Sequence, residues 1–189
     1  MYFSKLTVAK MTSIGQYSRH QLIWKLFPSD TKRNFIYSDT KDTNVFFIVS
    51  KTKPVSTDTL RVESKGYSPE LKKGRVLSFQ LTANPTVTLN GKRHDIIINA
   101  KKKGLNEDSV AKTWLKDKGA INGFEVVDTE ISGHMKNVMN TKGRKISYTS
   151  LTYSGCIRVK NVALFEKALF DGLGHSKAFG CGLLMVKSV

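Results

Sequence analysis

Acidic side chains are scarce in this chain: its 189 residues include 15 Asp and Glu against 31 Lys and Arg. The resulting net charge of +16 is more than solubility requires, and in a folded protein the usual reason for such an excess is a polyanionic partner. The excess is shared by both halves of the chain, which argues against a neutral domain with a basic tail. We therefore predict that both halves face the same polyanion, a nucleic acid or a membrane surface.

Cysteines and long apolar runs are also rare. The two cysteines, Cys156 and Cys181, lie in apolar, strand-like contexts, so they predict small core residues in a reducing cytoplasm rather than disulfides or a zinc site. No apolar run approaches the roughly 20 residues of a membrane-spanning helix. Residues 1–10 alternate like a strand and lack the apolar core of a signal peptide. A folded cytoplasmic protein without a membrane partner is predicted.

Metal and nucleotide motifs are missing as well. The few carboxylates are unclustered, which disfavours a two-metal nuclease, and the chain has no P-loop. His94, His134 and His175 stand alone, without ligands at metal-binding spacing. We predict no metal and no cofactor. If the chain cleaves nucleic acid, a metal-free mechanism is favoured, and this indicates RNA because its 2′-hydroxyl is an internal nucleophile that DNA lacks.

Hydrophobic patterning predicts two similar units in tandem. The predicted elements are a strand at 2–10, a helix at 16–27, strands at 34–37, 45–50 and 75–83, a strand at 93–99, a helix at 107–118, strands within 124–131 and 144–159, a helix at 161–170 and a strand at 181–187. This order favours an α+β fold of tandem ferredoxin-like (RRM-like) domains with antiparallel sheets. We place an N-terminal domain at 1–88, with the candidate catalytic helix, and a C-terminal domain at 89–189.

The last eighteen residues contain a glycine-rich segment around Lys177. Its paired glycines are Gly172, Gly174, Gly180 and Gly182, and no acid follows Asp171. Glycine permits positive φ and close backbone approach, and successive N–H groups in such turns form anion sites. The segment predicts a phosphate contact; the alternative is a tight connection before a strand.

The helix at 16–27 carries a candidate acid–base group. Tyr17 and His20 are three residues apart, so they share a helical face, and no acid precedes Asp30. Histidine is suited to proton transfer near neutral pH, and a neighbouring tyrosine hydroxyl would orient or polarise a reacting group. Lys25 would stabilise phosphorane charge, although it lies about 140° round an ideal helix from His20. The alternative is an ordinary surface histidine.

A second basic region lies between Ile131 and Phe165, where no acid occurs. Its candidate RNA-binding cations are Lys136, Lys142, Arg144, Lys145 and Arg158. Residues 134–145 predict a mobile loop or a hairpin tip able to grip phosphates across a duplex groove. The alternative is a solvated loop.

Several segments, taken in order, resemble the CRISPR-associated endoribonucleases of type I-E systems, the CasE subunit of Cascade. They are Met1–Lys5, Tyr17–Gln21, Trp24–Pro28, Leu81–Pro85, Trp114–Leu115, Tyr153–Gly155 and residues 172–184. The last segment is the most specific of them. The resemblance covers nearly the whole chain.

The resemblance implies two ferredoxin-like domains and a metal-independent cut at the base of CRISPR-repeat stem-loops. The implied chemistry is attack by the 2′-oxygen, which leaves a 2′,3′-cyclic phosphate and a 5′-hydroxyl. The family's catalytic histidine and tyrosine fall on His20 and Tyr17, a variable basic residue falls on Lys25, and a motif lysine falls on Lys177. Retention of the crRNA and assembly with other Cascade subunits are implied too. The family's groove-inserting hairpin matches residues 136–145 only in position and charge.

Two other classes of protein remain open. A non-catalytic RNA-binding subunit of the same fold would keep the basic surfaces, but the presence of both Tyr17 and His20 disfavours it. A structural or ribosome-associated basic protein would explain the charge but not the ordered set of motifs.

Overall fold

The computed structural model describes residues 1–9, 16–40, 42–141 and 143–189, with the side chains of residues 16–18, 140, 141 and 144 excepted. The first sheet consists of β1 (Tyr2–Val8), β2 (Phe35–Asp39), β3 (Val45–Ser50) and β4 (Leu60–Gly66), and helix α1 (Gln16–Trp24) connects β1 to β2. All its strand pairs are antiparallel, in the order β2-β3-β1-β4. This is the strand order of a ferredoxin-like unit.

The second sheet repeats that order with a full set of helices. Its chain runs through β5 (Val76–Ala83), β6 (Thr86–Leu89), β7 (Lys92–Asp95), α2 (Ile96–Lys102), α3 (Glu107–Ile121), β8 (Phe124–Thr141), β9 (Arg144–Val159), α4 (Val162–Asp171) and β10 (Leu184–Ser188). The sheet order is β10-β5-β9-β8, and β6 and β7 form a separate small ribbon. Two antiparallel sheets with their helices confirm the tandem ferredoxin-like α+β fold.

One strand belongs to a different sheet from the one its position in the sequence indicated. The pattern at 75–83 predicted the closing strand of the first unit, but β5 pairs with β9 and β10 of the second sheet. The two sheets therefore divide between Gly66 and Val76. The domain boundary at residue 88 stays a prediction about folding units.

The predicted strand at 93–99 was wrong in its second half, which is helix α2. Asp95 is the cause: its side-chain carboxylate accepts hydrogen bonds from the backbone N–H groups of Ile97 and Ile98 and so caps the helix. The run of three isoleucines favours a strand by propensity, but Ile96, Ile97 and Ala100 are buried on the helical face. Helix α4 is also capped by a side chain, since that of Asn161 accepts a hydrogen bond from the N–H of Leu164.

Each sheet has its own apolar core, and a third cluster joins them. The first core includes Leu6, Ile23, Phe35 and Ile48; the second includes Leu81, Leu115, Tyr153 and Phe165. Ile36 and Val49 of the first sheet pack with Leu183 just before β10, and Phe3, Phe47, Phe170 and Met185 surround them. We call this contact between the two sheets the seam. No helix in the described ranges is long and apolar enough to cross a membrane.

The glycine at the end of α4 makes a close contact across the seam that can be tested. Gly172 has φ +72°, and a Cβ there would overlap Ile36 Cδ1 and lie 2.8 Å from the Gly182 oxygen. Gly91 has nearly the same φ, +73°, with nothing within 4 Å of an added Cβ. Gly91→Ala is expected to cost about 1 kcal/mol of unfolding free energy, and Gly172→Ala about 3 kcal/mol or more. Denaturant titration measures both, and equal losses would contradict the contact.

Candidate active site at the seam

His20 lies on α1 in an aromatic pocket and is half-buried. Its Nε2 accepts a hydrogen bond of 3.1 Å from the indole N–H of Trp24, one helical turn on. The ring centroid is 5.7 Å from that of Phe35 and 6.5 Å from that of Tyr37, both on β2. The other nitrogen, Nδ1, is buried without a hydrogen-bond partner in the described structure. Because Nε2 is the acceptor, the neutral ring carries its proton on Nδ1, and this N–H is a buried donor without an acceptor in the described structure.

Two effects lower the pKa of His20. Burial is the larger, because it disfavours the charged imidazolium, and the positive charge of Arg33 adds to it. The Trp24 hydrogen bond is donated to the Nε2 lone pair, which only the uncharged ring carries. At neutral pH the imidazole is therefore uncharged, which is the form that accepts a proton.

The glycine-rich segment lies directly beside this pocket. Tyr37, whose ring stacks near His20, donates a hydrogen bond of 2.9 Å from its hydroxyl to the carbonyl of Ala178. From the second sheet, the Tyr148 hydroxyl donates to the carbonyl of Phe179 at 3.2 Å, and the two rings stack at 5.4 Å. Two tyrosines from different sheets thus hold residues 172–182, which we call the seam loop, against α1 and β2.

An ion pair fixes the base of the pocket. The Arg19 guanidinium lies 3.0 Å from the Asp39 carboxylate, and it also lies over the ring of Phe46 at 5.2 Å. Burial raises the pKa of Asp39, and the charge of Arg19 opposes that rise. A Cβ on Gly180 would come within 3.2 Å of the same carboxylate. The ion pair and the seam loop therefore constrain each other.

The four predicted glycines have different surroundings. Gly180 and Gly182 are buried, and the Gly182 N–H donates to the carbonyl of Thr82 at 2.7 Å. Gly172 and Gly174 are partly exposed, with positive φ. Their roles as RNA contacts stay predictions, and burial makes the first pair less suitable for direct contact than the second.

Lys177, at the centre of the seam loop, is half-buried, and its ammonium donates to the carbonyl of Asp171 at 2.6 Å. It therefore satisfies a carbonyl at the end of α4, as a lysine at a helix C-terminus commonly does. Burial lowers the pKa of Lys177, and the nearby charge of Arg33 lowers it further. An ammonium has three donors, so two remain for a phosphate.

The predicted loop or hairpin tip is a long hairpin. Strands β8 and β9 are paired as far as Thr141 and Arg144, whereas β5 pairs with β9 only between Arg158 and Leu151. Residues 135–150 therefore extend beyond the sheet as a two-stranded arm, on which Lys136 and Lys145 are exposed. Lys142 and the side chain of Arg144 lie outside the described residues.

Arg158 and Lys25 are not brought into the aromatic pocket of His20 in the described structure. Arg158 lies at the opposite end of β9 from the arm and pairs with Glu125 at 3.4 Å. Lys25 is exposed just beyond α1. The side chain of Tyr17 lies outside the described residues, although its backbone is in α1. The cation whose charge acts on His20 is Arg33, a residue that sequence reasoning missed because only the packing of α1 against the start of β2 brings its segment near His20.

Comparison with known proteins identifies the family of this chain. A family model described as CRISPR-associated protein matches residues 1–188. The chain belongs to this family.

Two named relatives align with nearly the whole length of this family member. The Cascade subunit CasE of Escherichia coli K12 is 29% identical over 195 residues, covering 97% of this chain and 98% of its own. The crystal structure of Cas6e from Escherichia coli K-12 has a TM-score of 0.78 at 26% identity, with 100% of both chains covered.

A third comparison is with an RNA complex. Cse3 of Thermus thermophilus, bound to an RNA representing a pre-cleavage complex, has a TM-score of 0.79 at 20% identity and covers 98% of each chain. At that identity the likeness shows the shared fold.

The electrostatic coupling between Arg33 and His20 is directly measurable. Arg33→Gln removes a positive charge that disfavours the imidazolium, so it is expected to raise the pKa of His20 toward its ordinary value of 6.5. Lys25→Gln, the matched removal of an exposed charge, is expected to leave that pKa unchanged. Titration of the His20 ring carbon and nitrogen resonances measures both variants. A larger effect from Lys25→Gln would contradict the assignment.

Proposed function

We propose that this chain is a metal-independent endoribonuclease that cleaves CRISPR-repeat stem-loops in precursor crRNA and retains the product. The observation that carries the proposal is a neutral, half-buried histidine at the seam, next to a glycine loop and flanked by cations. Membership of the CRISPR-associated family supports it, as do relatives named as a Cascade subunit and as an endoribonuclease bound to RNA.

The proposed reaction is an internal transesterification. The 2′-oxygen attacks the adjacent phosphorus, so a P–O2′ bond forms while the P–O5′ bond breaks. A base removes the 2′-hydroxyl proton, and an acid supplies a proton to the departing 5′-oxygen. The products are a 2′,3′-cyclic phosphate and a 5′-hydroxyl, with no water or oxidant consumed.

His20 suits the proton transfers of this reaction. Its lowered pKa keeps the ring neutral near pH 7, so it enters the reaction as the base. In the neutral ring the Nε2 lone pair accepts from Trp24, so the ring proton is on Nδ1, and Nε2 can act as the base only if the indole hydrogen bond breaks when RNA binds. Tyr17 would orient or polarise the reacting groups, and Lys25 would contribute charge stabilisation if the RNA brings its phosphate to that side of α1.

The RNA is proposed to follow the basic surfaces on both sides of the seam. The arm formed by residues 135–150 has the exposed lysines Lys136 and Lys145 for duplex phosphates. Lys142 and Arg144, which lie between them in the sequence, are proposed as further RNA contacts. The seam loop with Lys177 would contact the strand beside the cut. Other Cascade subunits are the proposed protein partners, and the free thiols of Cys156 and Cys181 fit a cytoplasmic location.

One observation favours a second candidate, an RNA-binding subunit that does not cut. Nε2 of His20 accepts the Trp24 hydrogen bond, and Nδ1 is buried away from solvent. A histidine with a purely structural role, packed among aromatic side chains, has the same features. Cleavage and binding therefore have to be measured separately.

The proposed activity is tested on a labelled repeat hairpin in excess EDTA under single-turnover conditions. Wild type is expected to cut once at the stem base, and His20→Ala to slow cutting about 10²- to 10⁴-fold while affinity stays within a few-fold. His94→Ala, which removes an exposed histidine on β7, is the matched control and is expected to cut at the wild-type rate.

A hairpin with 2′-deoxyribose at the scissile position completes the test. It is expected to bind normally and to remain uncut. Tight binding by wild type without any product would reject the nuclease and select the non-cutting subunit. Loss of all cutting in EDTA, restored by a divalent cation, would overturn the metal-independent mechanism.

A further inference from the structure

A cavity beside the seam, apart from the aromatic pocket of His20, is lined mainly by polar and charged groups. It has a volume of about 280 Å³ and lies between the start of β2, the end of β3 and the end of α4. Its cations are Arg33, Lys51 and Lys177, which come from three separate segments of the chain. Neither Arg33 nor Lys51 has any role in the sequence prediction.

The backbone places these cations at one end of the first sheet. Phe35 pairs with Ser50 at the last register position of β2 and β3, so Arg33 and Lys51 lie just beyond the same end. The Lys51 N–H donates to the carbonyl of Asn34 at 3.0 Å, and the Asn34 side chain donates to Asp30 at 2.6 Å. These bonds fix the two segments that carry Arg33 and Lys51 next to each other.

The cations of this cavity outnumber its acids. Asp171 is the only acid among the described residues that line it, and its carboxylate is held by Lys167 at 2.9 Å, outside the lining. Within the described structure, Arg33 and Lys51 form no ion pair, and Lys177 bonds only a carbonyl. Burial lowers the pKa of Lys177 most, repulsion between the charges of Arg33 and Lys177 lowers it further, and the charge of Asp171 opposes both effects. An anion in the cavity would relieve that repulsion.

We propose that Arg33, Lys51 and Lys177 form a binding site for one backbone phosphate of the RNA, next to the phosphate that is cut. Identification of the anion as an RNA phosphate rests on the proposed function. Arg33 gives a planar fork of donors and the two lysines give point charges, a combination that suits phosphate oxygens. Phe35 lines the cavity, and its ring centroid lies 5.7 Å from that of His20, so the cavity adjoins the aromatic pocket and one RNA strand would reach both sites. Arg33 is a positioning residue in this arrangement.

The test is a double-mutant cycle on RNA affinity. The probe is the repeat hairpin with its flanking nucleotides and a 2′-deoxyribose at the scissile position, so that no cutting occurs. Arg33→Gln and Lys51→Gln are each expected to weaken RNA binding about tenfold. The double variant is expected to lose clearly less affinity than the product of the two single fold-losses, because both residues hold one phosphate. A second cycle with Lys51→Gln and Lys112→Gln is the control, because Lys112 lies on α3 outside the cavity. In that cycle the fold-loss of RNA affinity in the double variant is expected to equal the product of the two single fold-losses.

The phosphate itself is located by replacing single RNA linkages with neutral methylphosphonates. One linkage is expected to weaken wild-type binding about tenfold when neutralised, and to have no effect on the Arg33→Gln/Lys51→Gln variant. Independent losses for Arg33 and Lys51, or no such linkage, would overturn the proposal. Melting temperatures of the variants are measured alongside, and because both side chains are exposed they are expected to stay at the wild-type value.

A free anion is the other source of the same chemistry. If inorganic phosphate raises the melting temperature of wild type but not of the double variant, while RNA affinity is the same for both, the cavity binds free phosphate and the RNA assignment is overturned. If Arg33 and Lys51 are coupled in RNA binding but the protein never cuts, the proposed activity is rejected and the cavity site is kept. If the protein cuts but the effects of Arg33→Gln and Lys51→Gln on affinity multiply, the cavity site is rejected and the proposed activity is kept.

Discussion

The packing of the seam loop against β2 is the constraint on which the candidate active site around His20 depends. The Tyr37 hydroxyl holds the Ala178 carbonyl at 2.9 Å, and Gly172 fits against Ile36 only because it has no side chain. These contacts join a loop of the second ferredoxin-like unit to the strand and helix of the first. The histidine pocket is therefore a product of both units, although His20 belongs to one of them.

Burial and charge act together at this seam. His20 is uncharged because it is half-buried and because Arg33 lies near it, and Lys177 is destabilised as an ammonium by the same arginine. Since the folded state holds the His20 proton less tightly than the unfolded state does, stability contributed by this group is present above pH 6.5 and is lost as the pH falls below that value. In the proposed function, RNA phosphates at the seam would favour the charged forms of these cations and so reverse the balance.

Sequence patterning predicted the fold more fully than the site. Strand alternation and helical periodicity were sufficient for the tandem α+β architecture. The three isoleucines after Asp95 led to a wrong strand prediction, because their propensity favours a strand. In the structure the Asp95 carboxylate caps a helix that begins at Ile96. His20 was identified by its spacing from Tyr17. Arg33 was not, because its proximity to His20 arises from the packing of α1 against the start of β2, a tertiary contact that a single sequence does not display.

The most direct measurement of the central claim is the chemistry of the ends that one cut leaves. If a histidine at the seam drives attack by the 2′-oxygen, the downstream fragment carries a 5′-hydroxyl that polynucleotide kinase labels without prior phosphatase, and the upstream fragment ends in a 2′,3′-cyclic phosphate. A downstream 5′-phosphate with an upstream 3′-hydroxyl would instead mean that water was the nucleophile. That result would contradict the account.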